Sequence, residues 1–157
     1  MPCIPPASLP LRRLDRDGLR LAVHDSGPVP RPASGPASGP LPPLVCIHGN
    51  SCDHGFFAPL AAHFAPARRV LAVDLRGHGE SGKPQGAYPF RLFAEDCLWI
   101  VDRLRLPAAV LVAHSMGGAI AVEMANQRPE RVRALALLDS TLEALTPEAA
   151  AAVPHLL

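Results

Sequence analysis

Val110-Leu111-Val112-Ala113-His114-Ser115-Met116-Gly117-Gly118 is the stretch on which the reading of the chain turns. An apolar, β-branched run stops at a polar serine. Apolar residues then recur at helical spacing through Ala119, Ile120, Val122, Met124 and Ala125. The pattern predicts a strand, a sharp turn and a helix in direct succession. A serine held on such a turn adopts a strained backbone conformation and projects its hydroxyl above the sheet. Strand and helix backbones nearly touch there, so small residues are needed two before and two after it. The usual spacing is G-x-S-x-G; here Ala113 stands in the first place and Gly117 in the last, and Ala is small enough to fit. Ser115 therefore reads as a nucleophile on an elbow, against the simpler reading of an N-cap at a crowded turn.

Outward from this stretch, the same alternation continues on both sides. Leu44–Ile47, Arg69–Asp74 and Val132–Asp139 are apolar runs with the character of buried strands. Helical spacing is expected from about His54 to Phe64, over residues 90–105 (Phe93, Cys97, Ile100, Val101, Leu104) and from the elbow to about Gln127. On the second of these helices Asp96 and Asp102 fall on the polar face, with Arg103 and Arg105. Strand, helix and strand in alternation predict a mostly parallel sheet covered on both faces. Residues 11–26 read as a hairpin turning at Asp15-Arg16-Asp17-Gly18 and adding antiparallel strands at one edge. Its second strand, Leu19–His24, alternates as a half-buried strand does, and His24 falls on the solvated phase. Residues 27–43 repeat Pro-Ala-Ser-Gly in tandem and read as a spacer loop without a core.

Composition narrows the function classes. At 157 residues, 48% apolar with a net charge of +1, the chain reads as one ordinary globular domain. Without a basic patch, nucleic-acid binding has no support. No apolar run approaches the roughly 20 residues of a membrane span, and the first residues lack the pattern of a signal peptide. Cys3, Cys46, Cys52 and Cys97 show no C-x-x-C or zinc spacing and read as reduced thiols of a cytoplasmic protein, Cys46 and Cys97 in the core. No metal ligand set is apparent.

Three motifs fall at the carboxyl ends of predicted parallel strands, where α/β folds place their sites: His48-Gly49-Asn50, Asp74-Leu75-Arg76-Gly77-His78-Gly79-Glu80-Ser81, and His114-Ser115-Met116-Gly117-Gly118. In order and spacing they resemble the α/β-hydrolase family, in particular its esterase, lactonase, carbon–carbon hydrolase and perhydrolase branch, over about residues 11–142. The resemblance implies an α/β-hydrolase fold acting on a small-molecule carbonyl substrate by acyl transfer, with no cofactor. It implies Ser115 as nucleophile and the backbone N–H groups of Asn50 and Met116 as the oxyanion hole. Asp74, Arg76 and His78 match the structural loop beside the site, and His48, Gly49, His114 and Gly117 match positions that shape or buttress it. A dehalogenase or epoxide hydrolase of this fold would carry aspartate where Ser115 stands.

The resemblance also implies what is missing. Family members are about twice as long, and their catalytic His follows the eighth strand, whereas six strands are expected here. Asp139, closing the sixth, reads either as a structural aspartate or as the triad acid. His155 follows Pro154 with nothing to place it above Ser115. Residues 1–10 read as a tail and 143–157 as the start of a truncated cap region. The expectation is a fragment lacking the triad His, its last strand an exposed apolar edge prone to self-association or to pairing with a complementary C-terminal fragment. An inert pseudo-hydrolase or binding module is the alternative. Gly77-His78-Gly79-Glu80-Ser81-Gly82 also matches the G-x-G-x-x-G of dinucleotide-binding oxidoreductases, but Lys83-Pro84-Gln85-Gly86 prolongs the loop where a helix should open.

Overall fold

A computed structural model describes residues 9–28 and 41–140. The N-terminal tail before Leu9, the tandem repeat in the spacer loop, and the cap region with His155 lie outside the described residues. The described residues form a six-stranded sheet. Strands β1 (Leu11–Arg16) and β2 (Leu19–Asp25) pair antiparallel through a turn in which Asp17 and Gly18 both take positive φ, 53° and 83°. Two such residues match the twist of the flanking strands, which is why Asp-Gly marks hairpins. The other strands are β3 (Leu44–Ile47), β4 (Val70–Asp74), β5 (Ala109–His114) and β6 (Val132–Leu138). The sheet order is β1-β2-β4-β3-β5-β6, with β4, β3, β5 and β6 mutually parallel and β2 antiparallel to β4.

The parallel strands are apolar on both faces because both faces are covered. Val45, Ile47, Leu71, Val73, Leu111 and Ala113 point into one core layer. Helices α2 (Phe90–Arg103) and α3 (Met116–Gln127) close it with Phe93, Cys97, Ile100, Ile120 and Met124. Leu44, Cys46, Val70, Ala72 and Val112 point the other way, onto Phe57 and Ala61. Phe57 ends a 3₁₀ turn over His54–Phe57, and Ala61 lies in α1 (Ala58–Phe64). The one long helix expected over 54–64 is thus two short pieces, with Pro59 in the first turn of α1. α2 also stops earlier than expected, at Arg103. Arg105 turns left-handed (φ 51°) and the Leu106 N–H donates to the Val101 carbonyl at 3.0 Å, a Schellman-type stop.

Two burial expectations are corrected. β2 is not half-buried: Leu21 and Val23 pack into the core layer under α2 and α3, His24 stacks on His54 and Asp25 pairs with Arg69, so Leu21 through Asp25 are all buried. Asp96 is not on a solvated face but 2% exposed. It accepts a two-pronged contact from Arg76 (Nε 2.5 Å, Nη2 2.7 Å) and another from Arg16 Nη1 at 2.5 Å. β6, though apolar in sequence, lies at the sheet edge as expected of the last strand and is half-exposed along most of its length. Asp96→Ala strands two guanidinium groups beside an apolar helix face. It is expected to cost about 3 kcal/mol, read as a lower urea midpoint at unchanged m-value; a loss below about 1 kcal/mol would show that solvent screens the pair.

Candidate active site

Ser115 sits where β5 gives way to α3, with φ 51° and ψ −122°. A non-glycine residue in that region stores about 1–3 kcal/mol of backbone strain and persists only where its surroundings hold it. Two hydrogen bonds do so: the Ser115 N–H donates to the Leu138 carbonyl at 3.0 Å, and the Gly118 N–H donates to the Ser115 carbonyl at 2.9 Å. Although Ser115 occupies the N-cap position, its hydroxyl makes no capping bond. The small residues are required by contact. A Cβ on Gly117 would collide with the Ile47 carbonyl oxygen and lie 2.8 Å from that of His48. A Cβ on Gly49 would lie 3.0 Å from both Ser115 Cβ and His114 Nδ1. The loop after β3 therefore rests directly on the elbow. Asn50 follows this contact, exposed. The Met116 N–H belongs to the first turn of α3, where backbone donors have no partner within the helix.

Residues 42–157 match the family described as alpha/beta hydrolase fold. The chain belongs to that family. It is 32% identical over 130 residues to 2-(acetamidomethylene)succinate hydrolase of Mesorhizobium japonicum, covering 83% of this chain and 42% of that one. It is 34% identical over 133 residues to 2-hydroxymuconate semialdehyde hydrolase of a Pseudomonas species, covering 82% and 43%. Among solved structures it resembles Est816, described as an N-acyl homoserine lactone degrading enzyme, with TM-score 0.71 and 30% identity over 90% of this chain and 51% of that one. The chain thus spans less than half the length of these curated relatives.

Within this α/β-hydrolase core, His48, Asp74, Arg76 and His78 are held by hydrogen bonds among the loops after β3 and β4 and to α2. His48 is fully buried. Its Nε2 lies 3.1 Å from the Leu75 N–H, which can only donate, so Nδ1 carries the proton and donates to the Gly49 carbonyl at 2.8 Å. Both nitrogens are thereby used to tie the ends of β3 and β4 together. Burial holds the His48 pKa below that of a free imidazole. Asp74 accepts from the backbone N–H groups of His54 (2.7 Å) and Glu80 (2.8 Å) and from His54 Nδ1 (3.0 Å). Burial pushes its carboxyl upward, but these donors outweigh it and hold it below the ordinary carboxylate range. The His78 Nδ1 donates to the Arg76 carbonyl at 3.0 Å, and Arg76 itself is spent on Asp96. The glycines of residues 77–82 close a turn, with Gly77 N–H on the Gly82 carbonyl at 2.9 Å, and α2 opens only at Phe90.

Asp139 closes β6, exposed and left-handed (φ 46°), one residue beyond the carbonyl that holds Ser115. The His114 ring stacks on Phe56, 4.1 Å between centroids, at the side of the elbow. Phe56, His24 and His54 were not legible as site residues. Each joins the site through a neighbour remote in sequence, and no local pattern marks it. No helix among the described residues is long and apolar enough to cross a membrane.

These buried groups give the fold a two-step acid response. His24 and His48 titrate below the imidazole reference of 6.5, both chiefly through burial. As pH falls through 6.5 the unfolded chain takes up protons that the fold refuses, so stability declines from there. Asp25, paired with Arg69, and Asp74 also titrate below their reference of 3.8 despite burial. Their contribution is complete above that value and is lost as pH falls below it. Thermal midpoints measured from pH 8 to pH 3 are expected to fall in both windows, and a flat profile down to pH 4 would contradict the first.

Proposed function

We propose that this chain is the nucleophile-bearing portion of a serine hydrolase acting on an ester, lactone or related small-molecule carbonyl compound. The observation that carries the reading is Ser115: left-handed on the elbow, its hydroxyl spent on no cap. In the proposed step Ser115 Oγ attacks the carbonyl carbon and its proton passes to an imidazole base. The π electrons of the carbonyl move to its oxygen, which the N–H groups of Asn50 and Met116 stabilise. Collapse of this tetrahedral adduct expels the leaving group, which takes the proton from the imidazolium, and leaves an acyl-serine; water, giving its proton to the same imidazole, then attacks the acyl carbon, and the acid leaves as Ser115 Oγ regains a proton. Each of the two donors is worth on the order of 100- to 1000-fold in rate.

His48, with both nitrogens engaged, is unsuited to be the base. The reading takes that imidazole from polypeptide outside the described residues, and takes Asp139 as the acid beside it. The half-exposed edge of β6 is the side on which such polypeptide, as a complementary fragment, or a second copy of the chain would pair. Relatives named as hydrolases and lactone-degrading enzymes support the reaction class. A haloalkane dehalogenase and an epoxide hydrolase also match, but serine at the elbow favours acyl transfer over their chemistry. A fluorophosphonate reagent tests the proposal: covalent modification of the folded chain should map to the peptide containing Ser115. Folded chain that stays unmodified even when assembled with the polypeptide supplying the imidazole would move the reading to a non-catalytic binding protein.

A further inference from the structure

The fold gathers His24 from β2, His54 from the 3₁₀ turn and Asp74 from the end of β4 into one cluster. One ligand atom from each lies within 4.8 Å of the others. His54 Nδ1 is 3.0 Å from Asp74 Oδ1, and His24 Nε2 is 4.0 Å from Asp74 Oδ2. His24 is 5% exposed. Its Nδ1 lies 3.3 Å from the Leu9 carbonyl, which can only accept, so Nδ1 carries the ring proton and Nε2 carries the lone pair. That buried lone pair faces the carboxylate and has no donor among the described residues. An acceptor left without a donor beside a second acceptor is costly, and a cation between them removes the cost.

We propose that His24 Nε2, His54 Nδ1 and Asp74 form a binding site for a divalent ion of the zinc class. Two imidazoles and a carboxylate, with water in the fourth position, are a ligand set zinc accepts. Metal–ligand bonds of about 2.0–2.2 Å set tetrahedral ligand atoms roughly 3.4 Å apart, between the two separations seen here. The His24 and His54 rings now stack almost parallel, 3.3 Å between centroids at 10°. Both lone pairs converge on one ion only when His54, 27% exposed at its side chain, tilts out of the stack. Binding replaces the Nδ1 proton of His54, which passes to solvent.

The consequence is mechanical. His54 lies four residues after Asn50 in the segment that rests on the elbow. An ion would clamp that segment to β2 and β4 and hold the Asn50 loop in place. This role is independent of any chemistry at Ser115.

The test uses the full chain freed of metal by a chelator. Zinc should bind one ion per chain and raise the thermal midpoint by roughly 5–10 °C at about 100 times its Kd. Cobalt(II) should give visible bands of a nitrogen and oxygen ligand set, without the near-ultraviolet band of a thiolate ligand. His24→Gln and His54→Gln should each abolish the zinc-dependent rise, while His63→Gln, at an exposed position on α1, should keep it. Each variant is compared with itself, with and without zinc, so a weakened fold does not mimic lost binding. Absence of any rise in the parent chain, survival of the rise in His54→Gln, or a thiolate band with cobalt would overturn the proposal.

Discussion

Ser115→Ala should reduce fluorophosphonate modification of the folded chain to background and leave its fold intact. The substitution removes one hydroxyl that makes no capping bond, so nothing structural is lost with it. Alanine takes the left-handed conformation no more easily than serine, and the same two backbone hydrogen bonds hold it. In an assembled serine triad, loss of the nucleophile costs on the order of 10⁶-fold in kcat. The same substitution in a complex containing the proposed base should therefore abolish turnover. Circular dichroism and the urea midpoint should match the parent. Modification persisting in Ser115→Ala would place the reactive group elsewhere and remove the basis for the acyl-transfer reading.

Gly117→Ala should be among the most damaging single-methyl additions in the chain. The new Cβ meets the Ile47 carbonyl oxygen and, at 2.8 Å, that of His48. Both are backbone atoms at the end of the central strand β3, which is bonded to β4 and β5. Neither can rotate away, so strand and helix must separate. The expected loss is about 3 kcal/mol, the upper part of the range for overpacked sites, measured by urea denaturation. Gly49→Ala is the comparison. Its Cβ would approach Ser115 Cβ and the His114 ring at 3.0 Å, contacts that small shifts relieve. It should cost less in stability yet slow fluorophosphonate modification, because the shift moves the loop carrying Asn50. The reverse order of stabilities would mean that the strand-to-helix contact is looser than the backbone positions show.

The elbow was legible because every part of it is local. The apolar β-branched run, the small residues around Ser115 and the helical spacing after it lie within adjacent residues, and the backbone has few ways to satisfy them together. The Asp-Gly hairpin was legible for the same reason, since a two-residue turn of that type needs positive φ at both positions. The parallel sheet followed from strands apolar on both faces alternating with helices.

The polar residues were the ones misread. Asp96 has the spacing of a solvated helix position, yet it is buried because Arg16 from β1 and Arg76 from the loop after β4 converge on it. His24 alternates as a surface residue should, yet His54 from the 3₁₀ turn stacks on its ring and Leu9 and Asp74 flank it, so the ring is enclosed. Apolar pattern and turn chemistry, which act over a few residues, determined from sequence alone the elements, their order and the seat of Ser115. Only the tertiary structure decided which charges and imidazoles are buried, because a polar group is tolerated inside a protein when partners remote in the chain arrive to meet it.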